Sequence, residues 1–396
     1  MPKRKMKESL WERYINPASY TEDDHIYATS IGLKHPKFHK LGNNLYLDIN
    51  TKIAALRASP SLVSLITHLD GKESFQCSGT IIEVENDKGI IITSADCFQV
   101  HSDSTMSHPT IKVEVCMSDG TKLDGKVLAY DFHYNLAAVE VHSGTPLKAA
   151  KMALFDDAIS VDTAPVISTP ILRAHSVPPL DSHYTLIPGN TVIALGRYFA
   201  KPYALMAAPG QFSINQVELE CQELFRATCS ITRCGAGGPL VNSQGEFIGV
   251  CFYDMSCTPF LPITLTLKWW EQFKKNGEIQ RPLLSMELTN LYAVSLDILE
   301  TVVQNDTFHG VMVEKVLAGS TADVAGIRPN DVITRFAGGS VRSILELVRV
   351  MWDNIGKSVE VTVLRTFDGT RLNLNMVVDV VTQDELYCWP VLDKAR

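Results

Sequence analysis

Residues Pro239–Asp254 read PLVNSQGEFIGVCFYD. Two apolar, β-rich runs flank Asn242-Ser243-Gln244-Gly245, so the stretch predicts a β-hairpin with its turn at Asn242–Gly245. The same texture extends toward the N-terminus. SLVSLI (Ser61–Ile66), CSGTIIEV (Cys77–Val84), GIIITS (Gly89–Ser94), IKVEVCM (Ile111–Met117), LAAVEV (Leu136–Val141) and TVIALGR (Thr191–Arg197) are short runs rich in β-branched residues. Turn formers at Asp70-Gly71, Asn86-Asp87, Asp119-Gly120 and Asp124-Gly125 separate the earlier ones. Short strands at this spacing predict a β-barrel or sandwich. TLTLKWWEQFKK (Thr264–Lys275) then shows helical spacing, with lysines at its end and Gly277 beyond. Trp269 and Trp270 face different sides of that helix, and at least one is expected to pack on the barrel. After Arg281-Pro282 the pattern changes. GVMVEKV (Gly310–Val316) reads as a strand, GSTADVAG (Gly319–Gly326) as a helical turn and DVITRFAG (Asp331–Gly338) as a strand. SILELVRVMW (Ser343–Trp352) reads as a helix and SVEVTVLR (Ser358–Arg365) as a strand, completing a small α+β module.

The chain has 396 residues, room for two or three domains of roughly 100–200 residues each. With 45% hydrophobic and 20% charged residues it is not a disordered chain. No apolar run approaches the roughly 18 residues of a membrane span. A net charge of −8 argues against a nucleic-acid partner. The opening MPKRKMKESLWERY has no apolar core after its basic residues, so no secretory signal is expected. The expected location is intracellular, cytoplasm and/or nucleus. Pro2-Lys3-Arg4-Lys5 reads as a solvated terminus rather than a nuclear-import patch. His35 and His39 have metal-like helical spacing, but Pro36 between them favours a loop. Nine cysteines, an odd number with no C-x-x-C, predict reduced, mostly buried thiols rather than a disulfide framework or zinc site. No metal and no cofactor is expected.

The order of these motifs resembles the HtrA/Deg (Do-like) family, in which a trypsin-like double β-barrel precedes a PDZ domain. CSGTII (Cys77–Ile82) is similar to that family's G-S-G-x-[IV]-I strand, and IITSAD (Ile91–Asp96) to its I-L-T-N-A-H. DFHYNLAAVEV (Asp131–Val141) is similar to D-x-x-x-D-L-A-V-L-x-[IV], and CGAGGPLVNSQGEFIGV (Cys234–Val250) to G-N-S-G-G-P-L-x-N-x-x-G-x-[VI]-I-G-[IV]. GVMVEKVLAGSTADVAGIRPNDVITRFAG (Gly310–Gly338) resembles the PDZ core. The resemblance implies a mainly β fold: an N-terminal extension over 1–57, a trypsin-like domain over 58–278, a PDZ domain over 281–380 and a tail over 381–396.

The same alignment of motifs implies that the family's nucleophilic Ser is Ala236 here, its general-base His is Asp96, and its orienting Asp is Asn135. Alanine has no lone pair with which to attack a carbonyl. An aspartate with a pKa of about 3.9 is a weak base at neutral pH. Asparagine in place of the orienting carboxylate costs about 10⁴ in kcat in a known triad. The oxyanion loop is implied at Cys234 and Gly235, with Cys234 standing where the family has glycine. A relocated pair drawn from Cys97, Cys234 and His133 is disfavoured, since strand alternation places His133 about 6.6 Å from Asn135. Gly237 and Gly238 are expected to persist because the turn needs glycine geometry.

The resemblance therefore implies a non-catalytic protein- or peptide-binding homologue. The alternatives are a serine-type endopeptidase using a non-standard site and a structural subunit in mixed oligomers with active members. By resemblance the PDZ carboxylate loop is Leu283-Leu284-Ser285-Met286, which would take extended peptides by their free C-termini, and the barrel domain would trimerise.

Overall fold

The computed structural model describes residues 46–69, 71–98, 111–162, 184–198, 204–213, 221–254 and 257–381. The basic N-terminus and the His35/His39 pair lie outside the described residues.

Helix α1 (Ile49–Ala58) starts at Asp48, whose carboxylate accepts the amides of Asn50 and Thr51. Its buried Ala54, Ala55 and Ala58 pack with Ile193, Leu195 and Val241. The expected boundary at 57/58 thus falls inside a helix seated on the body of the molecule.

The next six strands are β1 (Leu62–Leu69), β2 (Lys72–Glu85), β3 (Lys88–Ser94), β4 (Ile111–Cys116), β5 (Lys122–Asp131) and β6 (Leu136–His142). They close into a barrel in the order β1-β2-β3-β6-β5-β4. Gly71, Asn86 and Gly120 have positive φ, as their turns require. Asp124-Gly125 is no turn, which corrects the sequence expectation. It lies inside β5, and a Cβ on Gly125 would come within 2.8 Å of Val139 Cγ1. Glycine here admits close packing rather than a reversal.

A short parallel pair, β7 (Phe155–Asp156) and β8 (Tyr184–Thr185), precedes the second barrel. That barrel comprises β9 (Thr191–Arg197), β10 (Leu205–Ser213), β11 (Phe225–Ala227), β12 (Pro239–Val241), β13 (Phe247–Cys251) and β14 (Thr258–Pro262). It closes as β9-β10-β11-β14-β13-β12 around an aromatic group of Phe212, Phe225 and Phe260. The predicted hairpin is β12–β13, its turn held by the Gly245 amide on Asn242 O at 2.9 Å. Helix α2 (Ile263–Asn276) follows and stops at Gly277, φ +73°. Both tryptophans on α2 are buried.

The C-terminal unit contains β15 (Met286–Asn290), α3 (Leu296–Gln304), β16 (Val311–Val316), α4 (Thr321–Ala325), β17 (Asp331–Phe336), β18 (Gly339–Ser340), α5 (Ile344–Asp353), β19 (Ser358–Arg365) and β20 (Arg371–Val377). Its sheet runs β15-β16-β17-β19-β20, with β18 on β17, so β15 is an edge. The fold is mainly β: two closed six-stranded barrels and a small α+β unit.

One expectation about cysteine is corrected. Cys77 on β2 and Cys97, in the 3-10 turn after β3, form a disulfide. Antiparallel pairing sets Gly79 opposite Thr93, which brings the following turn back over the start of β2. The other described cysteines are buried and outside any disulfide.

Candidate functional site

Asp96 and Asn135 meet at one end of the first barrel. Asp96 sits in the 3-10 turn Ala95–Phe98, directly after β3. Asn135 ends the turn between β5 and β6, at φ +52°, a left-handed conformation that asparagine tolerates. The Ala95 amide donates to Asn135 O at 3.0 Å and ties the two turns together. Asn135 Nδ2 donates to Asp96 Oδ2 at 3.0 Å, while the Asp96 amide donates to Asn135 Oδ1 at 3.0 Å. Ser94 Oγ also donates to Asn135 Oδ1, at 2.8 Å. The other carboxylate oxygen, Asp96 Oδ1, is buried without a hydrogen-bond partner. Burial pushes the Asp96 carboxyl up to about 7, against the bonds from Asn135 and Ser94 that favour the anion. Burial thus makes Asp96 a stronger base than an exposed aspartate.

Ala236 enters from the second barrel. The chain makes a 3-10 turn at Arg233–Gly235 and then the Gly237-Gly238 corner into β12. Ala236 O accepts the Ser78 amide at 2.8 Å, Ser78 Oγ donates to Cys234 O, and the Arg197 amide donates to Ser78 Oγ at 2.8 Å. This stitches the loop to β2 and β9. Gly237 has φ +73°, and a Cβ there would lie 2.5 Å from Ser78 O and 2.6 Å from Ser94 N. The corner accordingly needs glycine, and it lies against the strand end that carries Asp96.

Cys234 offers no substitute nucleophile. It is fully buried, its Sγ lies 3.0 Å from Thr232 Oγ1, and burial pushes its thiol up to about 12. Cys97 is in the disulfide. His133 lies in the turn between β5 and β6, not on a strand, so the 6.6 Å alternation estimate does not apply. Its Nε2 is 3.7 Å from Glu223 Oε2.

Of the predicted carboxylate loop, Leu283 and Leu284 are half-buried, while Ser285 and Met286 are buried. The Leu283 amide already donates to Asp379 O at 2.8 Å. The edge of β15 is covered by a residue that sequence reading did not single out. Gln222 Nε2 donates to Met286 O at 3.0 Å, and Gln222 Oε1 accepts the Leu288 amide at 2.9 Å. Those two backbone groups are the pair an added strand would use. Helix α5, across from β15, is fastened to the barrel side as well. Ser343 Oγ donates to Asp157 Oδ1 at 2.7 Å, and Arg342 pairs with Asp156 at 3.0 Å.

The two units are pinned at the junction. Arg281, almost fully buried, lies 3.2 Å from Asp131 and 5.4 Å over the Tyr134 ring. Trp352 Nε1 donates to Gln280 O at 2.6 Å.

Comparison with known proteins follows this geometry. Residues 77–250 match the trypsin-like peptidase domain family, and residues 283–378 match the PDZ domain family. The protein Do-like 14 of Arabidopsis thaliana is 29% identical over 351 residues, covering 84% of this chain and 72% of that one. Periplasmic serine endoprotease DegP of Escherichia coli is 24% identical over 323 residues, and the match spans 80% of this chain but only 60% of DegP. Among solved structures, an HtrA-type protease, AlgW with tripeptide, superposes with a TM-score of 0.54 at 18% identity, covering 84% of this chain and 97% of that one.

Proposed function

We propose that this chain, which belongs to the HtrA (Do-like) family of trypsin-like proteases with a PDZ domain, binds extended polypeptide without cleaving it. The observation that carries the reading is the methyl group of Ala236 at the position where the resemblance places the nucleophile. Asp96 can hold a proton near pH 7, but Ala236 has no hydroxyl from which to take one. Asn135 is committed to Asp96 and cannot orient an imidazole. The neighbouring thiol is buried and protonated.

Binding falls to the PDZ unit. An incoming C-terminus would lie along β15, with its carboxylate at Leu283–Met286 and an apolar last side chain against Leu284, Met286 and α5. It must first displace Gln222. The reading extends to self-association through the barrel domain or assembly with active family members. It also includes a location in the cytoplasm or nucleus, and domains over 58–278 and 281–380.

The purified protein is expected to leave unfolded casein intact above a buffer control. Turnover that persists with serine- and cysteine-directed inhibitors, yet disappears in Asp96→Ala, would overturn the reading. The combined variant Asp96→His, Asn135→Asp, Ala236→Ser and Cys234→Gly restores the family pattern. Any activity it gains locates the loss in those four side chains.

A further inference from the structure

Three side chains that take no part in the proposed function converge beneath the junction of the first barrel with the C-terminal unit. His133 comes from the turn between β5 and β6, while Cys221 and Glu223 come from the segment before β11. Their ligand atoms all lie within 4.8 Å of one another. Glu223 Oε2 is 3.7 Å from His133 Nε2 and 3.4 Å from Cys221 Sγ. A tetrahedral zinc ion with about 2.0–2.1 Å bonds to N and O and about 2.3 Å to S holds such atoms about 3.3–3.6 Å apart. The two spacings from Glu223 Oε2 therefore approach the edges of a coordination tetrahedron, and the third, between His133 and Cys221, lies within 4.8 Å and would close on the ion.

We propose that His133, Cys221 and Glu223 form a binding site for a zinc-class divalent cation, with water as the fourth ligand. The donor set is one imidazole nitrogen, one sulfur and one carboxylate oxygen. This borderline-soft mixture selects zinc-like ions over magnesium or calcium.

The surroundings have the outer partners that such a site uses. Tyr134 Oη donates to Glu223 Oε1 at 3.1 Å, which orients the carboxylate and leaves Oε2 facing the other two ligands. The Tyr134 ring lies edge-on to the His133 ring at 4.8 Å and limits its rotation. The amides of His133 and Tyr134 both donate to Asp131 Oδ1, which fixes the turn.

Charge points the same way. The Arg281 guanidinium is matched by Asp131, so no Lys or Arg ion pair holds the buried Glu223 carboxylate, whose Oε1 takes the Tyr134 hydroxyl and whose Oε2 faces His133 and Cys221. A divalent cation would neutralise Glu223 and the Cys221 thiolate together. On binding, the Cys221 S–H bond breaks, its proton passes to solvent, and the sulfur lone pair forms the metal bond. No oxidant or reductant is needed. The bound ion would cross-link the first barrel, through the turn bearing His133, to the second barrel's segment before β11.

The test uses the intact chain, stripped with a chelator and dialysed against Zn²⁺ alone. One tightly held equivalent is expected. Replacement by Co²⁺ should give a thiolate-to-cobalt charge-transfer band. Cys221→Ser should abolish that band and weaken Zn²⁺ binding at least tenfold, whereas Cys257→Ser should leave both unchanged. Since Cys221→Ser could unsettle its own segment, X-ray absorption at the zinc edge of the unmutated protein provides an independent reading. One sulfur at about 2.3 Å with two or three N/O neighbours is expected. A wild-type protein that retains no equivalent, an all-N/O shell, or two or more sulfurs would each overturn the proposal.

Discussion

The corner at Ala236 and the edge of β15 both bring backbone to the place where this fold would meet a polypeptide, yet they depend on side chains differently. Peptide cleavage at the corner would require three particular side chains to converge. The frame for that convergence is present: the Ala95 amide still binds Asn135 O, and Gly237 still lets the corner press on Ser78 and Ser94. The side chains on that frame are a methyl, a buried carboxyl and an amide. The β15 edge needs only N–H and C=O groups, which every residue but proline carries. Short of proline, no substitution erases such a site. It can only be covered, as Gln222 covers it.

The largest effect should come from attacking the frame. Gly237→Ala places a Cβ within 2.6 Å of Ser94 N at φ +73°, and it should cost about 4 kcal/mol or more. The urea midpoint measures this. A loss under about 1 kcal/mol would break the contrast, because the corner would then be soft.

A smaller effect should come from the buried carboxyl. The folded state holds Asp96 up at about 7, above its ordinary 3.8. The folded protein therefore binds this proton more tightly than the unfolded chain, and stability falls as pH rises from about 4 to about 7. At about 1.4 kcal/mol per pH unit over those roughly three units, the penalty at pH 8 is at most about 4 kcal/mol. Asp96→Asn should remove this part of the pH dependence and leave the protein more stable than wild type at pH 8. Parallel pH–stability curves for the two proteins would show instead that water reaches the carboxyl.

The smallest effect should come from uncovering the edge. Two neutral hydrogen bonds contribute about 1 kcal/mol net each, part of which water recovers. Gln222→Ala should therefore tighten peptide binding about five- to tenfold. Fluorescence anisotropy with peptides ending in Val, Leu or Phe, each beside its C-terminal amide, measures it. Unchanged affinity would place the peptide elsewhere, and indifference to amidation would remove the carboxylate loop from the account.

Many strands and the C-terminal unit were legible because their signals are local, whereas the division into two barrels came from the order of motifs and the resemblance it carries. Runs such as GIIITS and the Asn242–Gly245 turn name their own conformation. Local signals also misled. Asp124-Gly125 looks like a turn, and only the packing of Gly125 against Val113 and Val139 explains it as strand. At the candidate site, the motif order indicated which residues to examine, but not their environment. Nothing local reveals that Asp96 is buried without a partner for Oδ1. Gln222 and Met286 are 64 residues apart, and His133 and Glu223 are 90 apart, so their meetings exist only after the chain has closed.

Asp131 gives the molecule a mechanical property. One of its oxygens holds the amides of His133 and Tyr134, and the other holds Arg281 in the linker to the C-terminal sheet. Asn135 stands four residues farther along the same short turn. The linker and that turn thus share a single rivet, sealed from solvent. A pull on the C-terminal sheet would reach Asn135 as torque through a stiff arm, or else tear Arg281 and Asp131 apart at the expense of two bare charges in a dry interior. The chain has little compliance at the very point where its two halves would be expected to flex.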